Sequence, residues 1–318
     1  MKNIMKLTKK PKLFQRMVGL SVEDFNLLAH RLEVAWQGAE ANRKNGSSRI
    51  RALGAGRPYK LNSISLKLLA ILLYYKTYLT QECLGFFMDL DQSNISRLIS
   101  KMRGLIEQAA DPQLTNFLQE AKQAYEAIPS SHRVSCWSEF VSRYPDLMSI
   151  SIDATEQQCQ RSQDHEVQKK HYSGKKRLHT IKTQIAASPS GRIIDVSNSY
   201  PGSVHDKTVI DTEQTVHKFP ENTCLRFDSG YQGVPNQNPE HYAITPIKKP
   251  RKKPLSHLAK ELNHANGKRR IIVEHAISRI KTFRICKFVY RNPISSYNQV
   301  FRDILALLDF RLYNMVTI

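Results

Sequence analysis

The chain is poor in cysteine, and the cysteines it has are scattered. Cys83, Cys136, Cys159, Cys224 and Cys286 form an odd set with no CxxC spacing. That pattern argues against a disulfide framework and against a thiolate zinc site, and the thiols are expected to be reduced. Long apolar runs are also missing. The longest, Leu68 to Tyr75, falls well short of the roughly 18 residues a membrane-spanning helix needs and reads as a buried helix. The basic start, MKNIMKLTKKPKLFQRM, has no apolar segment and no small-residue cleavage site, so it is no secretory signal. The protein is expected inside the cell, in the cytoplasm or on the nucleoid, with no membrane partner. Acidic residues are the third scarcity: 28 Asp and Glu stand against 48 Lys and Arg, a formal net charge of +20. Such an excess implies an anionic polymer as partner, with nucleic acid the default.

The chain is long enough for two domains. Up to about residue 126 it reads as helical, with Leu66, Leu69, Ala70 and Leu73, and later Phe117, Ala121 and Tyr125, recurring at helix spacing. Between them, LTQECLGFFMDLDQSNISRLISKMRGLIEQ predicts a short helix from about Thr80, a tight Asp89-Leu90-Asp91 turn and a longer helix from about Gln92. Ile95, Leu98, Ile99, Met102, Leu105 and Ile106 share one face of the second helix, leaving Arg97 and Lys101 elsewhere. This is helix-turn-helix spacing over about 80–108. A helix start rich in small polar residues and Arg can enter the major groove, whereas the bland alternative is an ordinary bundle helix. The net charge favours DNA. The stretches AGRPYKLNS (55–63) and KKPRKKP (248–254) read as polar connectors.

After residue 145 the apolar period changes from 3.6 to 2. LMSISIDAT, HTIKTQIAAS and GRIIDVSNSY read as three strands of a meander. HDKTVIDTEQTVHKF then reads as a helix, TCLRFDSGY and HYAITPIKK as strands, and GKRRIIVEHAISRIKTF as a long helix. The expected fold is therefore a mixed α/β sheet with flanking helices, preceded by an all-α domain; the boundary is placed between 126 and 127, giving domains 1–126 and 127–318.

Two of these strands end in an acid, Asp153 and Asp228, and Glu274 lies in the last long helix. Should the strands be neighbours and the helix pack beside them, three carboxylates converge. They would repel one another unless divalent cations neutralise them, and hard oxygen ligands suit Mg²⁺ or Mn²⁺. Two such ions can stabilise the attacking and leaving oxygens of a phosphoryl displacement. At 100° per residue Arg270, Glu274 and Lys281 lie within about 40° on the helix, although Arg270 and Glu274 also suit a routine i, i+4 ion pair. Rivals as ligands are Asp206, which opens a helix where Asp is a common cap, and Glu156, just past a strand end.

The blocks SIDATE, HYSGKKRLHTIKTQ, SYPGSVHDKTV, RFDSGYQG and RRIIVEHAISRIK, in this order, resemble the DDE transposases of bacterial insertion sequences, in the insertion sequence five group related to the Harbinger transposases. The resemblance covers about residues 148–285. It implies an RNase H-like fold and a catalytic, metal-binding triad carried onto Asp153, Asp228 and Glu274, holding two Mg²⁺ or Mn²⁺ ions. It also implies binding to double-stranded DNA at terminal inverted repeats, Mg²⁺-dependent strand cleavage, transfer of the 3′-hydroxyl to target DNA, and a homodimer on DNA. The family's tyrosine, arginine, glutamate, lysine signature is kept at Arg270, Glu274 and Lys281, with Gly267 in the tyrosine position.

The run Gln168 to Lys182 interleaves cations with aromatic rings and is expected as a hairpin beside the acids. Lys169, Lys170, Lys175, Lys176 and Arg177 would meet phosphates and Tyr172 would stack on a base. Arg97, Lys101, Arg270 and Lys281 complete the expected DNA contacts. Two other functions stay open: a domesticated, non-catalytic DNA-binding regulator, and a metal-dependent endonuclease without strand transfer.

Overall fold

The computed structural model describes residues 6–44, 60–110, 114–251 and 253–316. Positions 55–59 and Lys252 of the two expected connectors lie outside the described residues. The chain forms two compact units. The first comprises residues 1–112, 280–288 and 295–318, and the second comprises 113–279 and 289–294.

The first unit is helical: α1 (Pro11–Val18), α2 (Val22–Lys44), α3 (Ile64–Thr77), α4 (Gln81–Met88), α5 (Gln92–Met102), α6 (Leu105–Ala110) and the returning helix Tyr297–Val316. Local sequence explains the α4–α5 pair. Thr80 caps α4, its Oγ1 accepting from the Cys83 amide at 3.1 Å. Asp89 ends α4 at φ 55°, and the Leu90 amide donates back to the Gly85 carbonyl. A Cβ on Gly85 would stand 2.5 Å from the Leu90 carbonyl oxygen, so only glycine lets the turn fold this closely. Ile95, Ile99 and Met102 are buried along α5, while Gln92, Ser93, Asn94 and Arg97 are exposed.

The single long helix expected from Gln92 is in fact two. Gly104 sits at φ 82° between α5 and α6, and the break is held by a residue remote in sequence. The buried Asp303 carboxylate accepts from the Gly104 amide at 3.1 Å, the Glu107 amide at 3.3 Å and the Tyr75 hydroxyl at 2.8 Å. It thus caps α6 from another helix, supplying orphan N-terminal amides with an acceptor. Burial pushes its pKa up to about 7, against those three hydrogen bonds, which lower it.

The second unit opens with α7 (Leu114–Glu126) and α8 (Trp137–Arg143). The remaining elements are β1 (Ser149–Gln158), α9 (His165–His171), β2 (Tyr172–Ser173), β3 (Leu178–Ala187), β4 (Ile193–Pro201), α10 (Asp206–Glu213), β5 (Cys224–Arg226), α11 (Val234–Gln237), β6 (Ala243–Ile244) and α12 (His257–Lys281). The strand order is β2-β3-β1-β5-β6, with β4 also on β3. β1, β3 and β4 form the expected antiparallel meander, and β5 and β6 continue the sheet in parallel. Alternation sends Ile150 and Ile152 into a core shared with Ala121, Tyr125, Phe140 and Leu225. That packing places α7 in the second unit, ahead of the boundary expected at 126. The opposite face of β1 meets α12, where the Ser151 hydroxyl donates to the Arg269 carbonyl at 3.4 Å. The expected hairpin is narrower than the sequence suggested, because Lys169 and Lys170 lie in α9, and the turn proper joins Tyr172–Ser173 to Leu178–His179.

An acidic site at the strand ends

β1 and β5 pair in parallel with Ser149 opposite Cys224 and Ser151 opposite Arg226. Two residues beyond the last pair come Asp153 and Asp228, each on the face opposite the core by alternation; β1 runs on to Gln158 beside β3, so Asp153 is mid-strand rather than at the expected strand end, Glu156 lies inside the strand, and Asp228 follows the end of β5. Past β5 the backbone bends, and the Asp228 Oδ1 accepts from the Gly230 amide at 2.7 Å. Gly233, at φ 92°, completes the exit. A Cβ on Gly230 would lie 3.0 Å from Asp228 Oδ1 and 3.3 Å from Asp206 Oδ2. The glycine is thus wedged between two carboxylates, and Asp206 belongs to the same place.

Asp153 shows the electrostatic consequence. Its carboxyl is pushed up to about 6, first by desolvation, with the neighbouring Asp228 and Asp206 charges raising it further; the Ala154 amide and Arg270 act the other way. Arg270, on α12, places Nη2 3.4 Å from Asp153 Oδ2. Its Nε is buried with no hydrogen-bond partner, a donor left over for an anion.

Asp206 is the first residue of α10, not its cap. The cap is His205, whose ring nitrogen accepts from the Lys207 amide at 3.3 Å. Asp206 is instead paired at 2.7 Å with Lys182, a lysine with a side chain only 7% exposed, which also lies 3.8 Å from Glu156. Glu156 accepts from the Thr180 hydroxyl at 2.8 Å. The sequence reading treated Lys182 as the end of an exposed basic run; its place inside β3, where it compensates two acids, was missed. Tyr231 was missed as well. It is fully buried below the acids, its hydroxyl takes a hydrogen bond from Gln184 at 3.2 Å, and burial, then the charges of Asp206, Asp153 and Asp228, hold its pKa well up. β3 is buried on both faces from Thr180 to Ala187, so no alternation marked Lys182 as an inward residue.

Glu274 stands apart from this group. It is exposed, one helical turn beyond Arg270, and is not among the main charges that act on Asp153. Among the described residues, Asp153, Asp228 and Glu274 are not gathered within 4.8 Å of one another. Lys281 ends α12, where the chain passes into the first unit. Lys169, Lys170, Lys175, Lys176 and Arg177 are exposed, and Tyr172 is 44% exposed. On α5, Arg97 is exposed and donates to Asn94 at 3.3 Å. Lys101 is turned to Glu40 at 3.4 Å and to the Trp36 ring. Gly267 is exposed, with nothing within 4 Å of where a Cβ would be.

Comparison with known proteins bears on this geometry. The family profile described as DDE superfamily endonuclease matches residues 152–308. The chain is 28% identical over 279 residues to a probable transposase for insertion sequence element IS702 from Microchaete diplosiphon, covering 88% of this chain and 87% of that protein. A crystal structure of a pre-cleavage Mos1 transpososome is similar at 10% identity, covering 86% of this chain and 85% of that one, with a TM-score of 0.18.

Proposed function

The chain belongs to the DDE superfamily endonucleases and is a transposase of the insertion-element kind, and from that premise we propose that it binds the terminal inverted repeats of its element, cuts there and transfers the freed 3′-hydroxyl to target DNA. The observation that carries this reading is the nearness of Asp153, midway along β1, to Asp228, just past the end of the parallel neighbour β5, in a sheet we read as RNase H-like.

The donor set suits the divalent cations such chemistry uses. Asp153 is driven up by desolvation and by two neighbouring carboxylates, the condition that binding a hard cation relieves. Asp153, Asp228 and Glu274 would hold the pair of Mg²⁺ or Mn²⁺ ions. Asp206 is nearer than Glu274, but its charge is already met by buried Lys182, so it acts as a fixed neighbour and the exposed Glu274 side chain supplies the third carboxylate. When bound, the two cations supply activation of the attacking oxygen and neutralisation of charge on the leaving 3′-oxygen.

The protein's own groups do the rest. Arg270, with its spare Nε, orients a phosphate beside Asp153, and Lys281 holds the backbone farther along α12. The exposed cations of α9 and of the β2–β3 turn track the strand, and Tyr172 offers a stacking face. The α4–α5 pair acts as a helix-turn-helix, with Arg97 and the exposed start of α5 directed to the groove. Lys101, occupied with Glu40 and Trp36, contributes less. A homodimer on DNA supplies the two active sites that joining two ends requires.

The test is Mg²⁺-dependent cleavage of DNA carrying the element's ends. Asp153→Ala, Asp228→Ala and Glu274→Ala should each bind that DNA as the parent does and lose cutting by about 10²-fold or more. Cutting by Asp228→Ala at the parent rate would overturn the assignment. Loss of cutting in Asp206→Ala together with normal cutting in Glu274→Ala would move the third carboxylate to Asp206.

A further inference from the structure

At the other end of β5, away from Asp228, lies a cluster that the proposed DNA chemistry does not use. His217 sits in the turn Val216–Lys218 that leads towards β5, and Glu240 and His241 precede β6. One ligand-capable atom from each of the three lies within 4.8 Å of the other two. They line a cleft of about 480 Å³ together with Lys122, Tyr125 and Arg133. We propose that His217, Glu240 and His241 form a binding site for a transition-metal dication of the zinc class, bracing the start of the two parallel strands.

The state of His241 is the main argument. Its side chain is 5% exposed, its Nδ1 is buried with no hydrogen-bond partner, and its Nε2 is 3.8 Å from the Glu240 carboxylate, too long for a hydrogen bond. Leaving a buried polar atom without a partner is costly, and a ring with neither nitrogen committed to a protein group is one that a ligand can satisfy. The His217 ring meets it edge-on, with centroids 5.3 Å apart, as packing alone could also produce. A carboxylate beside two imidazoles distinguishes the site: two His and one Glu, with a fourth position open to water, is a zinc ligand set. Tetrahedral coordination at bonds of about 2.0–2.1 Å puts ligand atoms roughly 3.4 Å apart, so the three must close slightly. His217 and Glu240 are exposed and free to do so. Thiolates were never required for such a site, which is why the scattered cysteines gave no sign of it.

The experiment uses the untagged full-length chain, stripped with EDTA, dialysed and titrated with Co²⁺ as a spectroscopic probe and then with Zn²⁺. The parent is expected to take up a single equivalent of Co²⁺ with the intense visible bands of a four-coordinate site, to release it to Zn²⁺, and to melt at higher temperature with Zn²⁺ bound. Asp228→Asn, which lies at the proposed catalytic carboxylates, should behave as the parent does. His217→Ala and Glu240→Gln alter exposed side chains and should fold; each should weaken Zn²⁺ binding by more than the roughly 10–100-fold that loss of an outer-shell partner costs, and His217→Ala should lose the thermal shift. The proposal is overturned if the parent shows neither bands nor shift, or if both variants bind Zn²⁺ with parental affinity. Loss of binding in Asp228→Asn alone would likewise overturn it, by moving the site to the strand ends.

Discussion

Replacing Asp153 with asparagine should make the metal-free protein more stable at neutral and alkaline pH while abolishing cleavage. The Asp153 carboxyl rises from 3.8 to about 6 on folding. Between those values the folded chain binds more protons than the unfolded one, so stability falls as pH rises through that window and levels off above it. About two pKa units at about 1.4 kcal/mol each set a ceiling near 3 kcal/mol on the cost of keeping this acid ionised in place. The amide removes that cost. It can still accept from the Ala154 amide, but it gives up the charge that faces Arg270 at 3.4 Å. The net gain should be about 1–2 kcal/mol at pH 8. The two tryptophans make the assay clean, since Trp36 lies in the first unit and Trp137 in the second. In a Trp36→Phe background, urea unfolding followed by Trp137 fluorescence in EDTA reports the unit that holds Asp153. The Asp153→Asn variant should raise the midpoint at pH 8, lose that advantage by pH 4, and lose the stabilisation that Mg²⁺ gives the parent. An unchanged or lower midpoint at pH 8 would refute the electrostatic account of the site.

Other perturbations follow from the same geometry. Asp303→Ala removes the acceptor shared by the Tyr75 hydroxyl and the Gly104 and Glu107 amides and should destabilise the first unit by about 3–5 kcal/mol, read by Trp36 fluorescence in urea. Gly230→Ala pushes a methyl against Asp228 and Asp206; it should reduce cleavage sharply while leaving DNA affinity within about twofold in a mobility-shift assay, because phosphate contacts elsewhere carry the binding. Gly267→Ala adds a Cβ into open space on α12 and should stabilise by about 0.5–1 kcal/mol in urea unfolding, with cleavage unchanged. Lys175→Ala and Lys176→Ala should each weaken DNA binding at every sequence and lower the slope of log affinity against log salt by about 1.

What the sequence made legible was mostly local. The α4–α5 pair could be read because Thr80, Gly85 and the Asp89–Asp91 turn settle it within a dozen residues, and the meander because the alternation at the start of β1 and the Pro-Ser-Gly turn before β4 are local signals. The exit at Asp228 was announced by its glycines. Features decided by distant residues were not legible. The break at Gly104 depends on Asp303, and a helix pattern running through Leu105 and Ile106 gave no hint of it. The return of Tyr297–Val316 to the first unit, and the membership of α7 in the second, are choices of packing partner among equally apolar faces. Lys182 looked like one more surface cation because its compensating acids, Glu156 and Asp206, lie 26 and 24 residues away in the chain. Asp206 looked like a cap for the same reason, while Glu274 was read from spacing that places it on the right helix face but not against Asp153.

The helix Tyr297–Val316 completes a unit whose other main part ends at Pro112, and this fixes an order of events during translation. At about 5–20 residues per second, the ribosome takes roughly 10–40 s to pass from one segment to the other. Through that interval the Gly104 and Glu107 amides lack their acceptor, and the face of the helical unit that Tyr297–Val316 covers lies open. The sheet that bears Asp153 and Asp228 can assemble meanwhile. The nascent helical unit is therefore the part of the molecule most exposed to chaperones and proteases, and a nonsense codon shortly before residue 297 would damage it more than the sheet.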